Sequence, residues 1–214
     1  MNLGWGLGLC WGCGEPLVPN EVAGMCPPCQ WAWPSVPGSE AVQRLAQERV
    51  GCAVFGVGFR LRPDTHRVVH RVKYGGFPSQ GRALGQWMAQ GWPAPPRDVV
   101  LVPVPLHWRR HVRRGFNPPQ ALAEGLATGW GCEVQPKLLR RLKHRVSLTS
   151  ATRAARQSAL RGTFGVREDW RRALPERVLL VDDVLTTGAT FRACQQVLGA
   201  QGVKVVGGVW LAMG

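Results

Sequence analysis

The stretch "RVLLVDDVLTTGAT", Arg177 to Thr190, decides how this chain is read. Four consecutive apolar residues, Val178 to Val181, run into two adjacent carboxylates, Asp182 and Asp183, and then into a short loop of hydroxyls and glycine. A short apolar run bounded by turn chemistry reads as a strand buried on both faces, as in a parallel sheet. In open α/β sheets ligands bind beyond the carboxyl ends of the strands, which puts both aspartates at the mouth of a site. The following "TTGAT" passes from strand to helix. Backbone N–H groups at a helix start suit a phosphate, as do a glycine that permits close approach (Gly188) and the hydroxyls of Thr186, Thr187 and Thr190, with Ala189 between them. The paired carboxylates can accept hydrogen bonds from a sugar diol or help to hold Mg2+. Diol and phosphate recognition within one loop fits a ribose 5-phosphate. The loop is neither a Walker A motif, which needs Gly-Lys-Ser/Thr, nor a dinucleotide fingerprint, which needs G-x-G-x-x-G.

Working outward, "AVQRLAQERV" reads as a helix and "CAVFGVGFRL" as a strand or hairpin. "DTHRVVHRVKYGG" predicts a short helix ending at Gly75, and "SQGRALGQWMAQGW" a second one. "DVVLVPVPL" reads as a buried strand, and "PPQALAEGLATG" as a helix with Pro at its start and Gly at its end. "CEVQPKLLRRL" is predicted as a further strand region. It is followed by a basic stretch from Lys143, then the strand "RVLLV", the helix "GATFRACQQVLGAQG" and a last strand, "VKVVGGVWLA". Strands apolar on both faces, alternating with helices, predict a mainly parallel sheet flanked by helices over residues 41–214.

The first 36 residues differ. "CWGC" and "CPPC" give the spacing C-x2-C-x12-C-x2-C through Cys10, Cys13, Cys26 and Cys29. Two such knuckles can surround a structural zinc with four thiolates, and so short a module needs a staple of this kind. A pair of disulfides or a redox C-x-x-C are the rivals. The first suits secreted chains and the second a motif beside a βαβ unit. "PSVPGSE" marks the boundary between a 1–36 zinc-ribbon module and the 41–214 domain. Four tryptophans (Trp5, Trp11, Trp31, Trp33) lie in or beside the module, where they pack on the knuckles or stack on nucleobases. The other cysteines, Cys52, Cys132 and Cys194, read as small core residues.

The 214 residues carry a net charge of +14, with Arg supplying nearly all of the positive charge. That excess favours polyanionic partners such as nucleic acid or phosphorylated metabolites, against the alternative of a solvated Arg-rich surface. No apolar run is long enough to span a bilayer, and the start lacks the positive region of a signal peptide. The expectation is a cytoplasmic protein without membrane insertion.

The string "VLLVDDVLTTGAT" resembles the phosphoribosyl-pyrophosphate (PRPP) loop of the type I phosphoribosyltransferases. "VPVPLHWRRHVRRGFNPPQALAEGLA" (Val102 to Ala127) resembles the signature of the ComF family, competence-associated proteins that join an amino-terminal zinc ribbon to a type I domain. "KYGGFPSQGRALG" and "RAARQSALRGTF" fit the same pattern, and the architecture covers essentially the whole chain. Trp108 replaces the usual Pro after "PLH", Pro118 the usual Gln after "GFN", and Ala159 a frequent Asn.

The resemblance implies a type I phosphoribosyltransferase fold that binds PRPP with Mg2+ at residues 182, 183 and 186–190, Asp182 and Asp183 being also the catalytic candidates. It implies a role in natural competence, the internalisation of single-stranded DNA, with other DNA-uptake proteins as further partners. By position in that fold, the loop from Pro105 to Asn117 receives pyrophosphate or nucleic acid through His107, Arg109, Arg110, Arg113 and Arg114. Arginine suits forked phosphate contacts. His107 and His111 are candidate proton carriers, and Lys73 a further phosphate contact. Residues 143–162 correspond to the loop that closes over PRPP. The alternative is a true phosphoribosyltransferase of nucleotide metabolism, but nothing in the chain identifies an acceptor.

Overall fold

The computed structural model describes residues 10, 15–17, 26–27, 40–61, 63–75, 77–142, 162–170 and 173–214. Its centre is a four-stranded, wholly parallel sheet. Strands β1 (Val54–Arg60), β2 (Val99–Pro103), β5 (Arg177–Leu185) and β6 (Lys204–Met213) lie in the order β1-β6-β5-β2. A separate antiparallel ribbon pairs β3 (Leu139–Arg141) with β4 (Phe164–Val166). The helices are α1 (Glu40–Val50), α2 (Pro63–Tyr74), α3 (Pro78–Gly91), α4 (Trp108–Arg114), α5 (Pro118–Trp130) and α6 (Ala189–Gly199).

The unbroken apolar runs follow from burial on both sides. Leu179 and Val181 of β5 pack with Leu84 and Met88 of α3 and Leu122 and Leu126 of α5. Val178 and Leu180 face the other way, onto Ala46 and Val50 of α1 and Phe191 and Leu198 of α6. One strand thus supplies two cores by strict alternation. Cys194 lies fully inside the second core, whereas Cys52 and Cys132 are only half-buried.

The helix boundaries follow local chemistry. Pro118 opens α5, where its missing N–H is an orphan position anyway, and Gly131 ends the helix in the left-handed region at φ 67° with its N–H on the Ala127 carbonyl. Helices α3 and α5 meet through small residues: a Cβ at Gly81 would lie 2.7 Å from that of Ala121, and Gly85 and Gly125 face the opposing backbone still more closely. The glycines of "KYGGFPSQGRALG" and "ALAEGLA" therefore bring two helix axes together.

Two expectations are corrected. "CEVQPKLLRRL" is no strand of the main sheet: Val134 makes a single parallel bridge to Leu101, and beyond Pro136 the chain turns into β3 to pair with β4. Proline cannot continue a ladder, so the segment breaks there. Strand β5 also does not stop before the acids but runs through them to Leu185, held by β6 alone through the pairs Asp182–Trp210 and Leu185–Met213. "CAVFGVGFRL" is a single strand parallel to β6 rather than a hairpin.

Candidate functional site

Strand β2 pairs with β5 only as far as Pro103 opposite Val181, with one further bond from the Val104 N–H to the Val181 carbonyl at 2.8 Å. Beyond that point Pro105 has no N–H to offer, and the β2 side of β5 is left open. The acids stand in this opening, on opposite faces of their strand. Asp183 continues the Leu179–Val181 row toward α2, where the Lys73 Nζ lies 3.3 Å from its Oδ2, the two side chains 23% and 15% exposed. Asp182 continues the Val178–Leu180 row toward α6 and the buried Cys194, and its Oδ1 accepts the Asp183 N–H at 2.9 Å. Desolvation among these neighbours, and then the charge of Asp183, push the Asp182 carboxyl up to about 8, while Lys73 and Arg141 oppose the shift.

The loop that follows turns sharply. Gly188 is the N-cap of α6 in the left-handed region (φ 72°), and a Cβ there would sit 2.5 Å from the Arg49 carbonyl. The Thr187 Oγ1 accepts the Ala189 N–H at 3.4 Å, a weak cap. Thr186 is exposed, Thr187 and Thr190 half-buried, and Ala189 buried. Thr186 and Thr187 line a pocket of about 340 Å³ with Arg49 and Gly214.

The arginine loop forms the short helix α4. His107 is its N-cap: the imidazole is buried, and its Nδ1 accepts the Arg109 N–H at 3.3 Å. That bond fixes the helix start and commits the His107 Nδ1 to the backbone. His111, Arg109, Arg110 and Arg113 are exposed. Trp108 and Val112, one turn apart, are also exposed, at 62% and 75%. Arg114 turns back to Tyr74, with Nη2 3.1 Å from the phenol oxygen and the guanidinium 4.6 Å from the ring centre. This contact holds the Tyr74 phenol below its usual value. The end of α2 thus touches both halves of the site, Lys73 on Asp183 and Tyr74 on Arg114. Neither pairing was legible in the sequence, because nothing local brings residues 73 and 183 together. Arg141 was legible only as part of the strand region "CEVQPKLLRRL".

Of the cysteine set, Cys10 and Cys26 are described. The Cys26 N–H donates to the Cys10 Sγ at 3.3 Å, and the Cys10 carbonyl accepts from Arg71 of α2 at 3.3 Å. Cys13, Cys29 and the four amino-terminal tryptophans lie outside the described residues, as do 143–161 of the closing-loop expectation. The base of that segment is described: the Leu142 N–H bonds the Thr163 carbonyl at 2.7 Å, extending the β3–β4 ribbon. Among the described residues, no helix is long and apolar enough to cross a membrane.

A parallel sheet with helices on both faces, and an acidic strand end leading into a glycine turn and a helix, defines an α/β protein whose site lies at a strand-to-helix junction. No protein-family model matches the chain. It is 28% identical to DNA utilization protein YhgH of Salmonella typhi over 93% of this chain and 94% of that one. It is 30% identical to Competence protein F of Haemophilus influenzae, over 50% of this chain and 47% of that protein. Competence protein ComFC of Streptococcus pneumoniae is 33% identical over 51% and 46%. The chain is thus similar, along most of its length or over about half of it, to proteins named for DNA utilization and for competence. Among solved structures it is similar to one described as the allosteric regulatory enzyme of purine biosynthesis (TM-score 0.43, 21% identity), over 66% of this chain and 30% of that one. The parallel main sheet flanked by helices is the α/β architecture expected from the sequence.

Proposed function

We propose that the chain binds a phosphoribosyl ligand, PRPP with Mg2+, at the end of β5 and serves DNA uptake by engaging single-stranded DNA. The observation that carries this reading is the succession, past the end of the β2–β5 pairing, of an acid paired with Lys73, a glycine-turned loop at a helix start, and, after β2, a helix of exposed arginines. Asp183 meets the ribose hydroxyls or the metal. The TTGAT loop takes the 5-phosphate through amides and hydroxyls. Arg109, Arg110 and Arg113 offer forked contacts to pyrophosphate or to a nucleic-acid backbone. Their exposure beside Trp108 suits a single strand, whose bases stack on aromatics while its phosphates meet cations. The relatives named for DNA utilization and competence support the uptake role.

The two acids divide the work. Asp183 touches the ligand, and Lys73 gives way to it. Asp182, bonded to the Asp183 backbone, holds that residue's conformation. One outward carboxylate is enough for a Mg2+ that arrives on pyrophosphate and keeps its waters, but would not make a cage of its own. At the amino terminus, Cys10, Cys13, Cys26 and Cys29 hold a structural zinc. The N–H···S bond between the two described cysteines suits thiolate sulfurs that accept backbone hydrogen bonds while ligating.

Calorimetry of PRPP·Mg binding to the wild type, Asp183→Asn and Asp182→Asn tests the site, followed by titration of single-stranded DNA into the loaded protein. The expected result is loss of most PRPP affinity in Asp183→Asn. Equal binding by all three proteins sinks the assignment. Release of pyrophosphate only when a base acceptor is added would instead identify a transferase.

A further inference from the structure

Two arginines outside the phosphate loop grip its backbone. Arg49, near the end of α1, donates from Nη1 to the Thr186 carbonyl at 2.7 Å and to the Gly214 carbonyl. Arg192, in the first turn of α6, donates from Nη2 to the Thr187 carbonyl at 2.9 Å and from Nη1 to the Arg49 carbonyl. The Arg192 side chain is thereby tied to the main chain of Arg49, and the two arginines form one brace. Each guanidinium reaches two carbonyls at once, which a single ammonium on a flexible stem does less well.

The consequence lies in peptide geometry. A trans peptide is planar, and its N–H points opposite to its C=O. The Thr186 carbonyl shares a peptide with the Thr187 N–H, and the Thr187 carbonyl shares one with the Gly188 N–H. Holding both carbonyls against the guanidiniums turns these two N–H groups to the other side of the loop. Among the described residues neither N–H has an acceptor, although Gly188 is buried. Buried N–H groups are nearly always paired, so the unmet donor of buried Gly188, beside that of half-buried Thr187 and ahead of a helix start, is an arrangement suited to an anion.

We propose that Arg49 and Arg192 are positioning residues that aim the Thr187 and Gly188 amides at the ligand's phosphate, without touching it themselves. The proposal rests on the phosphate reading of this loop. It explains why two cations from separate helices spend their donors on main-chain carbonyls in a chain with few acidic partners. Arginine at 49 and 192 fixes the loop before ligand arrives, so the amides need no reorganisation on binding.

The test titrates ribose 5-phosphate into ¹⁵N-labelled full-length wild type, Arg192→Gln, Arg192→Lys and Arg49→Gln, following the Thr187 and Gly188 amide signals with the affinity. In the wild type both amides shift downfield as acceptors arrive. In Arg192→Gln the Gly188 shift is lost and affinity falls about tenfold, the scale of one hydrogen bond to a charged group. Arg192→Lys, which keeps the charge and one donor, restores part of both. Arg49→Gln acts in the same way on Thr187. Full wild-type shifts and affinity in the glutamine variants overturn the brace alone. No shift at either amide in the wild type overturns the phosphate reading and the brace with it. Melting curves identify any variant that fails to fold, and the lysine variant then carries the comparison.

Discussion

Burial lifts the Asp182 carboxyl from 3.8 to about 8, with the neighbouring Asp183 charge adding to the effect. In the unfolded chain the same group titrates near 4. Between those values the folded protein keeps a proton that the unfolded chain has released, so stability falls as pH rises through the window. Asp182→Asn abolishes this loss. The variant and the wild type should melt together near pH 4, and the variant should melt increasingly higher as pH rises toward 8. Melting temperatures across that range check it, and a gap independent of pH contradicts the buried-acid account. Gly188→Ala acts at the same scale by a different cause. The left-handed backbone, with the Arg49 carbonyl 2.5 Å from any Cβ, should cost about 1–3 kcal/mol and displace the loop. Its melting temperature and its PRPP affinity should fall together.

At the level of elements, the α3–α5 contact depends on having no side chain at two helix crossings. Gly125→Ala drives a methyl into the backbone around Arg82, an overpacking that costs about 1–3 kcal/mol. Chemical denaturation should report it as a lower midpoint with an unchanged slope. The proposed zinc module gives a second element-scale test. Chelation of the purified protein should change the emission of Trp5, Trp11, Trp31 and Trp33 while far-UV helix and strand signal largely remains, because the sheet and its flanking helices form a core of their own that Cys10, Leu17 and Cys26 join from one side. A metal content near zero in a protein with intact folding refutes the four-thiolate set. Much of this level was legible in residue order. The alternation of Leu179 and Val181 with Val178 and Leu180 was visible as an apolar run, and Pro118 and Gly131 as helix punctuation. The direction of the acids was not, because an apolar run does not say where a strand ends. Only pairing with β6 carries β5 past Val181, and that extension sets Asp182 and Asp183 on opposite faces.

For the molecule as a whole, the net charge of +14 becomes informative once its location is known. Arginines 49 and 192 are committed to main-chain carbonyls and Arg82 to Glu124 at 2.7 Å, whereas 109, 110 and 113 face solvent on a helix with no buried residue. Sequence could count these cations but could not sort them, since sorting depends on contacts between residues as far apart as 49 and 186. If the exposed set binds nucleic acid as proposed, it makes two separable contributions. Arginine neutralises phosphates, and each neutralised phosphate of a single strand adds about −0.7 to the slope of log affinity against log salt. Trp108 stacks on a base, which contributes affinity with little salt dependence. Replacing Arg109, Arg110, Arg113 and Arg114 with Ala should therefore flatten the slope by up to about 3. Trp108→Ala should instead lower affinity by roughly 1–3 kcal/mol at every salt concentration while leaving the slope in place. Anisotropy titrations of a fluorescent oligonucleotide at several salt concentrations separate the two. A slope unchanged by loss of all four arginines moves the strand to another face, and a Trp108 variant that changes only the slope removes stacking from the account.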